Sequence, residues 1–310
     1  MGCARGIARG GRRTTEHFGV FTILQNSNDS PAEELKEQFD EVAEEVARNP
    51  WVERLARFGY AAKGVVYIVA GALAVMTAAG VGGELTDARG ALRSIARQPF
   101  GRSMLAVVAV GLAAYVLWRW VQSITDADGK GRTLKGLALR AAYFASGTVY
   151  AGLALAAARI VFGADEPAGV SPTRSWTARL MGMPFGDWLV TLAGLSVIGF
   201  GLYQIYKGYR AKFAKRLKLP EIEDGARDWA VLAGRVGYAA RGVVFAVIGL
   251  FLIRAAMYRD PGHAQGLDGA LQALARQSFG PYLLGIVAAG LVAYGIFALV
   301  EARHRRIAGT

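Results

Sequence analysis

The sequence is poor in the residues that build most metal, redox and nucleophilic sites. It has one cysteine, Cys3, which excludes a disulfide within the chain. Its three histidines, His17, His263 and His304, stand far apart and form no metal-ligand pattern. No histidine lies inside an apolar run, where it could serve a nucleophile as a base. We therefore expect no metal, no other cofactor and no enzymatic activity.

Charged residues are also scarce, and basic residues outnumber acidic ones. Only 19% of the residues are charged, yet the formal net charge is +12. A basic excess can indicate a nucleic acid partner, but here the basic residues flank long apolar runs. Anionic lipid at the membrane surface is the partner that this arrangement favours, and we expect no nucleic acid.

Six uncharged, apolar runs dominate the chain. About 20 apolar residues cross the ~30 Å hydrocarbon core as a helix, and Arg119, Arg241 and Arg254 can extend the two shorter runs by reaching the interface. Six such blocks disfavour a large soluble core. They predict an all-α, polytopic membrane protein of six transmembrane helices. The runs are Gly64–Gly83, Ser103–Trp118, Ala141–Ala158, Trp188–Tyr206, Gly242–Ile253 and Gln277–Val300.

One motif occurs three times and divides the chain into three two-helix repeats. The motif is Arg-x-x-Tyr, followed by a small residue, a glycine and an apolar run. Its three copies begin at Arg57, Arg140 and Arg235. With two spans in each repeat, the three copies have the same orientation. We therefore predict parallel repeats in a pseudo-threefold arrangement about the membrane normal, and no inverted repeats of the kind that transporters often have.

Short helices are predicted between the two spans of a repeat. Helical spacing appears in Leu85, Ala88, Leu92 and Ile95, and again in Leu267, Leu271 and Leu274. The glycine that closes each segment, Gly101 or Gly280, suits a helix C-cap. We expect these helices to lie in the membrane interface.

Outside the repeats, the chain begins with two distinct segments. Residues 1–29 lack any period and are predicted to be disordered, whereas 30–50 start with a Ser30–Pro31 cap and form an acidic amphipathic helix. The predicted divisions are 1–29, the acidic helix 30–50, repeat 1 at 51–124, repeat 2 at 136–208, a basic linker at 209–229, repeat 3 at 230–303 and a basic tail at 304–310.

The distribution of lysine and arginine predicts the orientation. Outside the spans, the side that carries both termini, Lys63, Arg241 and the basic cluster 207–218 has about twice as many basic residues as the other side. The positive-inside rule then places both termini in the cytoplasm, and we expect the protein in the cell (inner) membrane of a bacterium.

The triplicated motif, together with the Ala-Arg-Gln-x-Phe-Gly turn between the two spans of repeats 1 and 3, resembles a bacterial membrane family, the domain of unknown function 1206. The resemblance covers about Leu55 to Val300 and is closest in repeats 1 and 3. Repeat 2 departs from it where Ser146 replaces a basic residue and Phe144-Ala145 replaces the small pair. The resemblance implies an integral membrane protein of six helices, and no activity.

The repeated side chains are the candidate binding site. A threefold arrangement would place the arginines and tyrosines in two rings near the cytoplasmic interface. Such rings could bind anionic headgroups or an anionic solute, and the alternative is simple anchoring by interfacial Arg and Tyr. The six residues are Arg57, Tyr60, Arg140, Tyr143, Arg235 and Tyr238.

Charges within the spans are expected only near their ends, which argues against an ion-driven pump. These charges are Arg119, Arg159, Arg254 and Glu301.

Two functions remain open. The first is a non-enzymatic module that organises lipid or protein partners, with the acidic helix and the basic linker as its cytoplasmic contacts. The second is a passive channel or facilitator for a small solute along the threefold axis. A homo-oligomer is also possible, because small-residue pairs such as Gly147-x-x-x-Ala151 suit close helix contact. The expected lining of a channel is Tyr115, Tyr203, Gln204 and Tyr294.

Overall fold

A computed structural model describes residues 50–125, 133–164, 171–211, 213–214 and 224–304. Within these ranges the chain is α-helical apart from turns, short irregular connections and 3₁₀ residues such as Pro261–His263. Residues 1–29, nearly all of the acidic helix 30–50, about half of the basic linker 209–229 (212 and 215–223) and most of the tail 304–310 lie outside them. The helices are α1 Pro50–Ala78, α2 Ala88–Ala96, α3 Gly101–Ile124, α4 Leu134–Val161, α5 Pro172–Met181, α6 Gly186–Tyr209, α7 Asp224–Tyr258, α8 Leu267–Ala275 and α9 Gly280–His304.

Six of these helices are long and apolar enough to span a membrane, which confirms the predicted six-helix architecture. They are α1, α3, α4, α6, α7 and α9, so each repeat contributes two. The two short runs of the sequence belong to much longer helices, since the candidate span in α3 has 24 residues and that in α7 has 34. A run defined by missing charge therefore underestimates the helix that contains it.

The helices α2, α5 and α8 lie between the two spans of each repeat. In α2, the carboxylate of Asp87 caps the helix by accepting a 2.9 Å hydrogen bond from the amide of Gly90. The buried side of α2 consists of Ala91, Leu92 and Ile95. Apolar residues on one face thus fix this helix against the spans.

The predicted role of the closing glycine was wrong. Gly101 is the first residue of α3, and the left-handed residue before it is Phe100, with φ of 59°. A Cβ on Gly101 would lie 2.3 Å from the carbonyl oxygen of Ile95. Glycine is required here because the two helices meet closely, and not because it adopts a left-handed C-cap.

The second span of each repeat packs against the first span of another repeat. The extensive contacts of this kind are α3 with α4, α6 with α7, and α9 with α1. Within repeats 1 and 3, α1 also packs on α3 and α7 on α9. In the described residues, α4 and α6 of repeat 2 have no comparably extensive contact. The pseudo-threefold arrangement stays a prediction.

Glycine explains this difference between repeats. A Cβ on Gly59 would lie 2.6 Å from the Cα of Tyr115, and one on Gly237 would lie 2.5 Å from the Cα of Tyr294. These glycines let α1 approach α3, and α7 approach α9. Repeat 2 has Ala142 at the corresponding motif position, so its two spans lack that close approach.

A second pair of glycines acts in the same way. A Cβ on Gly111 of α3 would lie 2.5 Å from the Cβ of Ala62, and one on Gly290 of α9 would lie 2.4 Å from the Cβ of Ala240. Counted from the glycine that begins each second span, the matching residue of α6 is Ser196. Repeat 2 therefore lacks both of the glycines that bring the two spans together in repeats 1 and 3.

Candidate functional site

Two of the three motif arginines bind the ends of other helices. Arg140 at the start of α4 donates from Nε to the carbonyl oxygen of Ser123 at 2.7 Å, and from Nη2 to that of Ile124 at 2.8 Å. Arg57 of α1 donates to the carbonyl oxygen of Arg303, and its Nη2 lies 2.6 Å from Oε1 of Glu53. The last carbonyls of a helix have no partner within it, and a cation there is favourable. Arg57 and Arg140 thus cap α9 and α3.

The third arginine, Arg235, is exposed on α7. The structure therefore does not give the three arginines one common setting. Two of them hold the second span of one repeat against the first span of another, a role that the sequence reasoning missed. The sequence feature that could have indicated this role is the position of each arginine near the start of a first span, which packs against a second span of another repeat.

In repeats 1 and 3 the motif tyrosine is more buried than the motif arginine. Tyr60 and Tyr238 are buried, and Tyr143 is half-buried. The guanidinium of Arg119 lies over two of these rings, 5.8 Å from that of Tyr60 and 5.2 Å from that of Tyr143. Tyr238 instead accepts a 2.8 Å hydrogen bond from Nζ of Lys207. Each tyrosine therefore has a cation as its neighbour.

A buried lysine lies at the centre of this region. Lys63 is only 3% exposed and stands midway along α1. Its Nζ is 5.4 Å from the ring of Tyr60, 5.2 Å from that of Tyr115 and 5.0 Å from that of Tyr294. The lysine and arginine distribution assigned Lys63 to the region outside the spans, whereas the candidate span Trp51–Ala78 includes it and ring faces accept its charge.

Arg241 occupies the same motif position in repeat 3 and is likewise midway along its helix, α7. Its Cζ lies 4.3 Å from the ring centroid of Tyr294 and 5.1 Å from that of Tyr67. Its Nε is buried and has no hydrogen-bond acceptor among the described residues. A buried donor without an acceptor is costly, so this atom is suited to a bound acceptor. The sequence reasoning had also placed Arg241 outside the spans.

Arg119 of α3 is the third cation. Its Nε donates a 2.7 Å hydrogen bond to the hydroxyl of Tyr115, and its Nη1 donates to Oε1 of Gln122 at 2.9 Å. We name the whole group the cation–tyrosine cluster, and it consists of Lys63, Arg119, Arg241, Tyr60, Tyr67, Tyr115, Tyr150, Tyr294 and Glu301.

The cluster carries more positive than negative charge. Glu301 of α9 is 6% exposed and interacts electrostatically with Lys63 and Arg119. It is the one carboxylate that we assign to the cluster within the described residues, against three cations. In their usual ionisation states these side chains leave two positive charges in excess. A net charge buried in this way is costly, and a compensating anion would lower that cost.

Repeats 1 and 3 supply the cations of the cluster, and repeat 2 supplies the aromatic side chain of Tyr150. Ser146 of α4 stands at the motif position of Lys63 and Arg241. One helical turn further, the ring of Tyr150 lies 4.7 Å from that of Tyr115. Helix α4 therefore borders the cluster without adding charge to it.

The structure brings together two of the four residues predicted to line a channel. Tyr115 and Tyr294 are each 1% exposed and belong to the cluster. Gln204 is buried on α6, and Tyr203 of the same helix is 46% exposed. Tyrosine rings and cations thus fill the cluster, whereas the two main hydrophobic clusters of the described residues consist mostly of Ala, Leu and Val.

Comparison with known proteins identifies relatives but no function. The family described as Domain of Unknown Function (DUF1206) matches three tandem segments, residues 58–126, 141–211 and 236–305. The chain is also 39% identical over 258 residues to an uncharacterized protein of Bacillus subtilis, YxxB, and the match covers 83% of this chain and 93% of that protein. No solved structure matches the chain.

Proposed function

Because the chain belongs to the DUF1206 family, whose function its description leaves open, we propose an activity from the residues themselves: a non-enzymatic membrane module that binds an anionic group inside its helix bundle. One observation carries the proposal. Lys63, Arg119 and Arg241 are brought together with Glu301 as their acidic neighbour. An anion would compensate the excess charge in a surrounding of low dielectric constant.

The tyrosines favour this ligand chemistry. Lys63 and Arg241 lie against ring faces, which stabilise a cation without neutralising it. The charge therefore stays available to a ligand, and Nε of Arg241 offers a donor that the described residues do not use. A phosphate-type oxyanion suits such a site, because guanidinium groups match its geometry.

The membrane setting is part of the proposal. Six apolar helices support a multi-pass protein, and the lysine and arginine distribution supports an inner membrane location with both termini in the cytoplasm. Partners would be the bilayer with its anionic lipids, and a membrane or cytoplasmic protein that contacts the acidic helix or the basic linker. Assembly into a homo-oligomer is compatible with this function.

Passive movement of a small anion is the second candidate function. The observation that favours it is that the candidate spans of α1 and α7 include Lys63 and Arg241, since an anion path across the bilayer needs cations along it. Flux measured with purified protein in sealed vesicles tests it. A rate equal to that of protein-free vesicles would reject this candidate and leave the binding function intact.

Binding is tested by thermal unfolding of the purified protein in a neutral detergent. Inorganic phosphate is added at constant ionic strength, because a ligand that binds the folded state stabilises it by mass action. We expect the transition temperature to rise with phosphate in the parent protein and in Arg254→Gln, which removes an exposed cation from the same helix as Arg241. We expect a much smaller rise in Lys63→Gln and Arg241→Gln. Equal rises in all four proteins would contradict the proposal.

A further inference from the structure

We propose that the anionic group is the phosphate of an anionic phospholipid, which reaches the cation–tyrosine cluster from the bilayer between α4 and α6. This inference rests on the proposed function, because it names the ligand of the same cluster. It adds two things to that function. The anion comes from the bilayer, and it enters between α4 and α6, where repeat 2 lacks the close helix packing of the other repeats.

The opening follows from the missing glycines of repeat 2. In the other two repeats, Gly59 and Gly237 let the two spans approach to backbone contact. Ala142 stands at this position in repeat 2, and its Cβ excludes the same approach. Across the described residues, α4 and α6 accordingly lack the extensive packing that joins α1 to α3 and α7 to α9.

The two helices beside the opening expose apolar surface to the bilayer. The candidate span in α4 has 17% of its apolar window buried and that in α6 has 22%, compared with 50% for α9. A Cβ added at Gly152 of α4 or at Gly199 of α6 would meet no atom within 4 Å. Surfaces of this kind suit acyl chains, since the bilayer contacts any apolar side chain that the protein leaves uncovered.

The side of α4 that borders the cluster connects the opening to the cations. Tyr150 packs against Tyr115 and interacts electrostatically with Arg241. Ser146, one turn earlier on α4, has a short side chain where the other repeats carry Lys63 and Arg241. Helix α4 therefore offers small and hydroxyl-bearing side chains, Ser146 and Tyr150, to a headgroup.

Charge complementarity selects an anionic lipid. A phosphodiester group matches the guanidinium of Arg241, whose Nε lacks an acceptor among the described residues, and Lys63 contacts the same tyrosine, Tyr294. Phosphatidylglycerol carries a net negative charge, whereas phosphatidylcholine adds a quaternary ammonium that the cluster would repel. A phosphatidylglycerol-type lipid is therefore the occupant that we assign.

Photocrosslinking in nanodiscs tests both the route and the ligand. The full chain is placed in phosphatidylcholine nanodiscs that contain a small fraction of phosphatidylglycerol with a diazirine on its acyl chain, and labelled peptides are mapped by mass spectrometry. The lipid control is the matching diazirine phosphatidylcholine. We expect phosphatidylglycerol to label α4 and α6 about tenfold more than the control lipid does. On the other spans we expect the two lipids to give equal labelling.

Four variants sharpen this experiment. Arg241→Gln should abolish the preference for phosphatidylglycerol on α4 and α6, and Arg254→Gln should keep it. The double variant Ala142→Gly with Ser196→Gly restores the glycines of the other repeats and should reduce the labelling by letting α4 approach α6. Ala145→Gly, an exposed position on α4, controls for the effect of glycine on the helix.

The outcomes separate this inference from the function on which it rests. Equal labelling by both lipids, or a preference that survives Arg241→Gln, would overturn the lipid assignment. If inorganic phosphate still stabilises the parent protein and not Arg241→Gln in that case, the cluster binds a free anion and the proposed function stands. If phosphate has no such effect either, both are overturned.

Discussion

Lys63 and Arg241 meet at one aromatic ring, that of Tyr294. The Nζ of Lys63 lies 5.0 Å from its centroid and the Cζ of Arg241 lies 4.3 Å from it, although the two residues belong to different repeats. Both occur at the same motif position, immediately before a glycine. The repeated motif thus brings two like charges to one place in the bundle, and an anion between them would lower their repulsion.

Removing the carboxylate of the cluster should strengthen anion binding. Glu301→Gln takes away the one acidic side chain assigned to the cluster within the described residues, so the positive excess grows and the attraction for an anion increases. We expect the phosphate concentration needed for half of the maximal thermal shift to fall severalfold. Glu53→Gln is the control, because Glu53 pairs with Arg57 at the start of α1. Weaker binding in Glu301→Gln would contradict the charge argument.

Arg140 should stabilise the fold without affecting the ligand. Arg140→Gln removes the hydrogen bonds to the carbonyls of Ser123 and Ile124, and a lost charged hydrogen bond costs about 1.5–3 kcal/mol. We expect a lower transition temperature and an unchanged response to phosphate. The matched control is Arg235→Gln, which alters the exposed arginine of the same motif. Equal destabilisation by both variants would show that capping by Arg140 is not the cause.

The close helix contacts of repeats 1 and 3 should not tolerate a methyl group. Gly59→Ala and Gly237→Ala each place a Cβ within 2.6 Å of backbone atoms, so we expect clear destabilisation. Gly199→Ala on α6 meets no atom within 4 Å and should be neutral or stabilising, since alanine favours the helix by about 1 kcal/mol over glycine. Thermal unfolding in detergent measures all three. Tolerance at Gly59 would count against the packing described for α1 and α3.

The single native cysteine allows a direct test of topology. In intact cells, we expect Cys3 to be protected from a membrane-impermeant maleimide and to react once the cells are permeabilised. In a Cys3→Ser background, a cysteine at the exposed position Gln98, between α2 and α3, should react in intact cells. The reverse pattern would invert the orientation derived from the positive-inside rule.

The six spans and the short helices could be predicted from the sequence, because both depend on local features: the length of apolar runs and the spacing of apolar residues. Six apolar blocks correspond to the six candidate spans, and the short periodic segments around Leu92 and Leu271 correspond to α2 and α8. These features depend on local composition and spacing alone. The family match to three tandem segments agrees with the repeat that the motif defines.

The candidate site was predicted only in part, because side-chain environments depend on helices that are distant in sequence. Charge in an apolar run was interpreted as the end of a span, so Lys63 and Arg241 were assigned to the cytoplasmic face. The tyrosines that surround Lys63 come from three different helices, α1, α3 and α9. No local pattern reveals such an arrangement, although a basic residue repeated at one motif position was a signal that the interpretation could have used.

The interpretation of the motif arginines illustrates the same limit. A ring of arginines would require three equivalent environments. Arg140 instead binds the carbonyls of Ser123 and Ile124, and Arg235 is exposed. Which carbonyl an arginine can reach depends on the packing of α4 against α3, and that packing is a tertiary property.

The most direct test of the anion-binding function is an electron cryomicroscopy map of the protein in nanodiscs that contain phosphatidylglycerol. At a resolution that shows side chains, the account predicts non-protein density about 3 Å from Nε of Arg241 and close to Nζ of Lys63. That density should be missing from a map of Arg241→Gln prepared in the same way. A parent map in which protein atoms alone surround both cations would contradict the account.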